Sequence, residues 1–471
     1  MSQRFRPCDF NQIYLLPPSL QDWLPENHLA RFIAEVAGEL DLRAIYASYE
    51  RKDGRGQPGY HPLLLLRVLL YAYSKGVTSS RRIERAIVED VGFRFLAANQ
   101  APDHDTIASF RQRHLGAISE LFIQVLRLCQ KAGLVKLGNL SIDGTKMMAN
   151  ASGRRNASYT ALEQSEKYWQ SEVTRLLNEA QRTDEEEDAR WGKGKSEASL
   201  PTSLATASQR LEHIRKGMRE LSEEAKQQTE QVEAENTTLK ASKPAPDASE
   251  AEKALYQQKR ERLKKRRQRA RANDKQPARQ YNVVDPDSRS MHDNGRKCQV
   301  QGYNAQAAVD GHAQVIVAAE ITQQCNDRAQ LVPMVEQARK NLEADPEVIT
   351  ADTGYWDTSE LQDPRLAGLD ILVPPDGACR HGDSGGELPA NAPRAAIAER
   401  MRERLKTEEG RLLYGVRKRV VEPVFGQIKQ ARGIRRFWLR GIDQVAAEWK
   451  LICATHNLLK VFRSRQQAAA C

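Results

Sequence analysis

Three acidic residues stand in sequence contexts that could bring carboxylates to a site of phosphoryl transfer. Asp143 closes a short alternating run, Asp352 closes a strand-like run, and Glu422 is the single acid within the basic residues 411–441. Three converging carboxylates can hold two divalent cations about 3.5–4 Å apart, which clamp the attacking and leaving oxygens of a phosphodiester. Mg²⁺ prefers oxygen ligands of this kind. The three acids are therefore candidate metal ligands.

The element that carries Glu422 is predicted to be a helix packed on a core. Its apolar residues recur at roughly helical spacing: Val420, Val421, Val424, Phe425 and Ile428. Lys429 lies two turns after Glu422 on the same face, so acid and ammonium would lie in one line. Pro423 disfavours the α conformation of the preceding residue, which places Glu422 at a helix start or at a kink. Taken alone, the segment is better explained as a surface helix with one solvated glutamate.

Each aspartate alone also has an ordinary explanation, since Asp143 and Asp352 both stand next to or near a glycine and could be turn residues. An aspartate that closes a strand in a mixed fold nevertheless often points into a site. The joint pattern of three acids with Lys429 in register is far less expected by chance. The combination therefore favours a site over three unrelated turns and caps.

Composition favours a polyanionic partner. The 471 residues include 72 Lys and Arg against 62 Asp and Glu, giving a net charge of +10, and the 40% hydrophobic content can fill the cores of two or three domains. Nucleic acid or the ribosome would suit this charge. No signal peptide and no apolar stretch of bilayer length is apparent, so we expect a cytoplasmic protein without a membrane partner. The seven cysteines contain no Cys-x-x-Cys pair, which argues against a zinc module or a disulfide framework.

The N-terminal residues are predicted to form short amphipathic helices. Apolar spacing indicates helices within residues 20–50, 63–76 and 81–98, and another that starts at Asp105 and runs toward Cys129. Arg81, Arg82 and Arg111 are candidate DNA contacts on such helices. A plain helical bundle with solvated arginines explains the pattern about equally well.

A long polar excursion, residues 154–280, follows Asp143. Its apolar positions are sparse and heptad-like, and residues 259–271 hold nine basic residues in thirteen. We expect a charged helical insertion whose cationic end contacts the nucleic-acid backbone. Its candidate contacts are Lys264, Lys265, Arg266 and Arg267. A solvated charged face is the alternative. Strand patterns resume at residues 298–309 and 313–321, which flank an Asp-Gly and predict a hairpin.

The order of the predicted elements is that of a ribonuclease H-like core: a strand with Asp, a hairpin, a helix, a strand with Asp and a helix with Glu. At this level the chain resembles the DDE transposases of bacterial insertion sequences that carry a Tyr-x2-Arg-x3-Glu-x6-Lys signature. The matching residues are Asp143 in SIDGTKMMANAS, Asp352 in ADTGYWD, Glu422 and Lys429, together with PDHDTIASFR near the N-terminus. Tyr414 and Arg417 keep their spacing. Four residues instead of three separate Arg417 from Glu422, so either Arg417 or Lys418 fills the arginine's place.

The resemblance implies an α/β fold: a ribonuclease H-like mixed sheet flanked by helices, an all-α N-terminal domain at residues 1–135 that binds DNA ends, and a catalytic domain at 136–465 that contains the insertion. It also implies an enzyme that cuts at the inverted repeats of its element and joins the 3′-hydroxyls to target DNA. The three acids would hold two Mg²⁺ ions, with Mn²⁺ as a substitute, while Tyr414, Arg417 or Lys418, and Lys429 would hold phosphate.

The resemblance further suggests a homodimer on paired ends of double-stranded DNA, associated with the bacterial nucleoid. Trp356 could stack on an unpaired base, although packing as an interior aromatic residue is the stronger interpretation. Two alternatives remain open for the whole chain. One is a metal-dependent nuclease of the same fold that cuts without joining. The other is a DNA-binding repressor that has no catalysis.

Overall fold

The chain folds into two compact units. The three candidate acids lie on or beside a mixed sheet of the first unit, which helices flank. The computed structural model describes residues 19–49, 59–191, 202–245, 249–293, 297–375 and 393–470. The first unit contains the described residues up to 148, those from 303 to 375 and those from 393 onward; the second contains the described residues between 149 and 302.

The N-terminal part of the first unit is helical. Its helices are α1 (Leu29–Glu39), α2 (Arg43–Ala47), α3 (Pro62–Ser74), α4 (Ser80–Glu89), α5 (Val91–Leu96), α6 (His104–Arg113) and α7 (Leu115–Lys131). The α6 helix starts where the Asp103 carboxylate accepts the Thr106 N–H at 2.7 Å. The expected single helix toward Cys129 is two helices, because the backbone at His114 leaves the helical conformation between α6 and α7.

The strands form one main sheet and a short pair. They are β1 (Asn139–Met148), β2 (Asn156–Ala157), β3 (Tyr281–Asn282), β4 (Arg289–Asp293), β5 (Cys298–Asp310), β6 (Val315–Thr322), β7 (Val348–Ala351) and β8 (Asp370–Leu372). In the main sheet β1 lies between β5 and β7, and β7 pairs in parallel with both β1 and β8. The β5–β6 pair is antiparallel with Asp310 opposite Val315, which confirms the predicted hairpin.

The second unit is built on three long helices. They are α8 (Tyr159–Trp191), α9 (Thr202–Ala241) and α10 (Glu250–Lys275). A capping box starts α10, in which Ser249 and Glu252 each bond the other's backbone N–H. Small apolar clusters join the helices, one of them around Leu162, Leu221 and Tyr281. The predicted helical character of the insertion is therefore confirmed.

The remaining helices belong to the first unit, and most of them pack against strands of its sheet. They are α11 (Leu331–Leu342), α12 (Pro393–Lys406), α13 (Glu408–Gly426) and α14 (Ile442–Ala470). The α14 helix packs on β6 and α7, and its fully buried Trp449 donates its indole N–H to the Gln306 carbonyl at 2.9 Å. None of the described helices is long and apolar enough to cross a membrane. The predicted fold class, a mixed sheet flanked by helices with an all-α N-terminal part and a helical insertion, is confirmed.

Buried polar contacts join the N-terminal helices to the C-terminal part of the first unit. The Tyr73 hydroxyl donates to Glu448 Oε1 at 2.9 Å and accepts a hydrogen bond from Arg111 Nη1 at 2.8 Å. Gly76 adopts a φ of +76°, and a Cβ at this position would collide with the backbone carbonyl of Arg432. The two sequence regions are therefore joined by side-chain hydrogen bonds and by a close backbone approach within one unit.

Candidate active site

Two adjacent parallel strands bring the aspartates together. Ile142 on β1 lies opposite Ala351 on β7. The residues that follow them in the sequence are Asp143 and Asp352. Neighbouring strands are about 4.8 Å apart, so the two carboxylates leave the sheet side by side. The expectation that the first strand ends at Asp143 is wrong. The strand continues to Met148, whose backbone bonds the segment that follows α13.

The α13 helix carries Glu422 toward these aspartates. Pro423 lies inside α13 and has no N–H, so the Arg419 carbonyl lacks its helical partner. Gln314 supplies the replacement, because its Nε2 donates to that carbonyl at 2.9 Å. The expected helix start at Glu422 is therefore wrong, and Glu422 lies within a helix that passes through the proline.

Arg417 bridges two of the three acids. Its Nη1 donates to Asp143 Oδ2 at 3.1 Å and its Nη2 to Glu422 Oε1 at 3.3 Å. The Arg417 side chain is only 10% exposed, and its guanidinium lies 5.9 Å from the centre of the Tyr414 ring. Lys418 is exposed. Of the two candidates for the arginine's place, Arg417 is the one that reaches the acids.

The aspartates lie in a setting that opposes negative charge. Burial, followed by the neighbouring Asp352 carboxylate, raises the pKa of Asp143 to about 7, although the Arg417 guanidinium acts in the opposite direction. Burial also raises the pKa of Asp352, with Arg417 and Lys146 opposing it and Asp327 reinforcing it. Desolvated carboxylates side by side favour a proton or a cation between them.

A fourth carboxylate, Asp327, lies at this site and was not among the predicted site residues. Asn304 Nδ2 and Gln306 Nε2 donate to its Oδ1 at 2.7 and 2.8 Å, and Lys146 Nζ lies 3.7 Å away. Gly144 makes room for it, because a Cβ at that glycine would collide with Asp327 and Gln306. Asp327 is thus held against β1, one residue after Asp143.

The sequence did contain a signal for this contact. Asn304 and Gln306 interrupt an otherwise largely apolar run, and their two-residue spacing places both side chains on one face of β5. Both are fully buried. Buried amides need partners, so a paired amide motif in a strand predicts a polar partner on the facing element.

Lys429 approaches the same strand from the far end of α13. The chain changes there from α-helix to a π-helical turn, Gln427–Ala431, a form that occurs often at functional sites. Lys429 Nζ donates to Thr145 Oγ1 at 2.6 Å and to the Lys146 carbonyl at 2.8 Å. The ammonium therefore lies along β1, two residues beyond Asp143.

The donor set suits a hard divalent cation. Asp143 and Asp352 supply adjacent carboxylates, and the buried Asn304 Oδ1 has no hydrogen-bond partner. In the part of the chain that is described, no three acidic, histidine or cysteine side chains are grouped closely enough to hold an ion as they stand. Glu422 does not join the two aspartates in such a group, and the Arg417 guanidinium lies between Glu422 and Asp143.

Two family models match separate parts of the chain. Residues 18–113 match the model described as "Transposase domain (DUF772)", and residues 265–458 match the "Transposase DDE domain". Together these matches cover more than half of the chain. The chain belongs to the DDE transposases of insertion sequences. The DDE match contains Asp352 and Glu422 but begins after Asp143. No curated protein and no solved structure matches the chain.

As a member of this family, the chain is a DNA-cleaving transposase with a ribonuclease H-like core.

The predicted DNA contacts on the N-terminal helices differ in their exposure. Arg81 and Arg82 are exposed in the first turns of α4. Arg111 is not on the surface: it is 5% exposed and donates to the Tyr73 hydroxyl and to the Thr78 carbonyl at 2.8 and 2.9 Å. This corrects the prediction for Arg111, which joins helices in the interior of the transposase.

The basic residues of α10 also differ in whether they are free to contact DNA or are held in ion pairs. Lys264 and Lys265 are exposed. Arg266 pairs with Glu235 at 2.6 Å and Arg267 pairs with Glu233 at 2.8 Å, both on α9. These ion pairs neutralise the two arginines locally, so Lys264 and Lys265 remain the better candidates for DNA contact.

Trp356 follows Asp352 by four residues and is half-buried. It caps the 3₁₀ turn Thr353–Tyr355 and its N–H donates to the Thr353 carbonyl at 3.1 Å. This position is compatible with packing and with partial access to a base, so the role of Trp356 in DNA contact stays a prediction.

Proposed function

We propose that this transposase binds the terminal inverted repeats of its insertion sequence, cleaves the DNA there and joins the freed 3′-hydroxyls to target DNA. The observation that carries the proposal is the register of β1 and β7, which sets Asp143 beside Asp352. The shared contact of Asp143 and Glu422 with Arg417 supports it, because it brings the third acid of the signature to the same place.

Asp143, Asp352 and Glu422 would hold the divalent cations, two Mg²⁺ ions with Mn²⁺ as a substitute. The cations would neutralise the charge that develops on the phosphodiester oxygens. Arg417 occupies the space between Asp143 and Glu422, so it must turn away before Glu422 can share a cation with Asp143. Once released, its planar guanidinium suits a bidentate contact with the scissile phosphate.

The other residues of the signature position the DNA strand. Lys429, held along β1 by Thr145, presents a cation beside Asp143, while Tyr414 supports the Arg417 guanidinium from α13. Lys418 is exposed on the same helix and would contact phosphate further out. In cleavage a water molecule would attack phosphorus while the bond from phosphorus to the 3′-oxygen breaks, which frees the 3′-hydroxyl. In joining, this 3′-hydroxyl would attack a phosphodiester of the target DNA and displace the target's own 3′-oxygen. Positioning of this kind supplies much of the rate enhancement of such reactions.

Exposed cations outside the site would hold the duplex. Arg81 and Arg82 on α4 and Lys264 and Lys265 on α10 are suited to phosphate contacts, which set affinity and its salt dependence. We further propose that two copies act on a pair of element ends, and that the protein works in the cytoplasm on nucleoid DNA.

Cleavage of a DNA fragment that carries the element ends tests the assignment. Asp143→Asn, Asp352→Asn and Glu422→Gln should each abolish Mg²⁺-dependent cleavage and leave DNA binding largely in place. Asp363→Asn is the matched control, since Asp363 is a surface acid that pairs with Arg365. A variant of the three that still nicks DNA would remove its acid from the proposal.

Pre-cut ends with free 3′-hydroxyls separate the transposase from its alternatives. The proposal predicts joined product with target DNA. Nicking of intact DNA without any joining would favour a nuclease of the same fold. Binding of the ends without Mg²⁺-dependent nicking would favour a repressor.

A further inference from the structure

The segment that follows Lys429 forms a cationic ridge with an aromatic centre. Burial alternates along it: Phe437 and Leu439 are buried, while Arg436, Trp438 and Arg440 are exposed. Trp438 is 38% exposed. We call residues 436–440 the Arg436–Arg440 ridge.

The ridge is held in a fixed orientation from behind. The Trp438 indole N–H donates to Thr78 Oγ1 at 2.7 Å, two residues before the start of α4. The backbone N–H groups of Trp438 and Leu439 both donate to Glu448 Oε2, at 2.9 and 3.0 Å. Because the polar edge of the indole is satisfied, the exposed part of the ring offers only its apolar and π surface.

The ridge is continuous with the strand that carries the catalytic aspartate. The Phe437 N–H donates to the Met148 carbonyl at 2.9 Å, and the Met148 N–H donates to the Arg435 carbonyl at 3.1 Å. From Asp143 to Met148 the strand advances about 16 Å at about 3.3 Å per residue. A DNA strand that runs from Asp143 along β1 therefore reaches the ridge after a few nucleotides.

The charge around the ridge fits a nucleic-acid strand. Between Glu422 and Asp443 the sequence contains no acidic residue. Arg436 is exposed beside the tryptophan, and Arg81 and Arg82 lie in the first turn of α4, which starts two residues after Thr78, the partner of the indole. Arginines next to a fixed aromatic face are the combination by which proteins hold unpaired nucleotides.

We propose that the Arg436–Arg440 ridge binds a single-stranded stretch of DNA a few nucleotides from the scissile phosphate, with the Trp438 ring stacked on an unpaired base and Arg436 on the backbone. The site would keep the opened end of the element apart from its complement while Asp143 acts on a phosphodiester of the same strand. This inference rests on the proposed function for the statement that the bound DNA is the opened end of the element. The binding itself is tested without cleavage.

The test compares two fluorescent DNA probes in EDTA, a fully paired duplex and the same duplex ending in a short single-stranded tail. Trp438→Ala should weaken binding of the tailed probe about tenfold, within the range measured for one stacked base, and leave the paired duplex unchanged. Arg436→Ala should lower the slope of log affinity against log salt by about 0.7–0.9 for a lost phosphate contact.

Matched variants separate stacking from support of the fold. Trp23→Ala removes another exposed indole, 50% exposed in the same unit, and should change neither probe. Trp438→Phe keeps an aromatic face but lacks the N–H, so it should retain most of the tailed-probe affinity; Trp438→Leu should lose it. A 2-aminopurine in the tail should be quenched by the wild type and by Trp438→Phe, and not by Trp438→Leu.

Equal affinity of wild type and Trp438→Leu for the tailed probe would overturn the proposal. Equal losses in Trp438→Phe and Trp438→Leu would also overturn it, because the bond to Thr78 and not the ring would then matter. The cleavage experiments on Asp143, Asp352 and Glu422 can fail while the stacking results stand, so the two proposals are distinguishable.

Discussion

Asp143→Asn should make the metal-free transposase more stable at alkaline pH while destroying its activity. Burial and Asp352 raise the pKa of the Asp143 carboxyl from 3.8 to about 7. A folded-state pKa above the unfolded value means that the folded protein binds more protons between these limits. Stability therefore falls as pH rises from about 4 to about 7, and the cost is fully present above that window.

The size of the effect follows from the shift. Three pKa units correspond to about 4 kcal/mol, which is a ceiling because the asparagine also loses the attraction of Arg417. We expect a gain of about 1–3 kcal/mol at about pH 8 that vanishes at about pH 4. Denaturant unfolding in EDTA at both pH values measures it. Mn²⁺ should stabilise the wild type and not the variant. A variant that is less stable than the wild type at the higher pH would refute this reasoning.

Three further predictions concern other parts of the chain. Lys429→Ala should slow cleavage about tenfold by loss of a positioned cation, and an unchanged rate in the same cleavage assay would refute its role. Gly76→Ala should lower the free energy of unfolding by at least about 1–2 kcal/mol, since a Cβ there meets a backbone carbonyl at positive φ; Gly116→Ala, with open space around it, should not lower it. Lys265→Ala should reduce the salt slope of DNA binding by about 0.9, whereas the ion-paired Arg266→Ala should change it less, and equal slopes would contradict the division of α10.

The sequence predicted the placement of Asp143 and Asp352 because short apolar runs are enough to identify buried strands. The structure pairs the two runs in parallel with Ile142 opposite Ala351, which sets the two aspartates side by side. The hairpin of β5 and β6 was predictable for a similar local reason, an Asp-Gly between two strand-like runs.

What the sequence did not predict depends on partners that are distant along the chain. The α13 helix continues through Pro423 because Gln314, more than a hundred residues earlier, satisfies the carbonyl of Arg419. Arg111 looked like a solvated helix residue, since periodicity does not show that a tyrosine hydroxyl lies within its reach. Asp327 was missed because its role at the site depends on two amides from another strand.

Anomalous scattering from Mn²⁺ in crystals of the transposase would show directly which side chains hold the metal ions. We expect ions bound by carboxylate oxygens of Asp143, Asp352 and Glu422, with the Arg417 guanidinium no longer between Asp143 and Glu422. Ions bound elsewhere, with Arg417 still bridging the two acids at saturating Mn²⁺, would contradict this expectation.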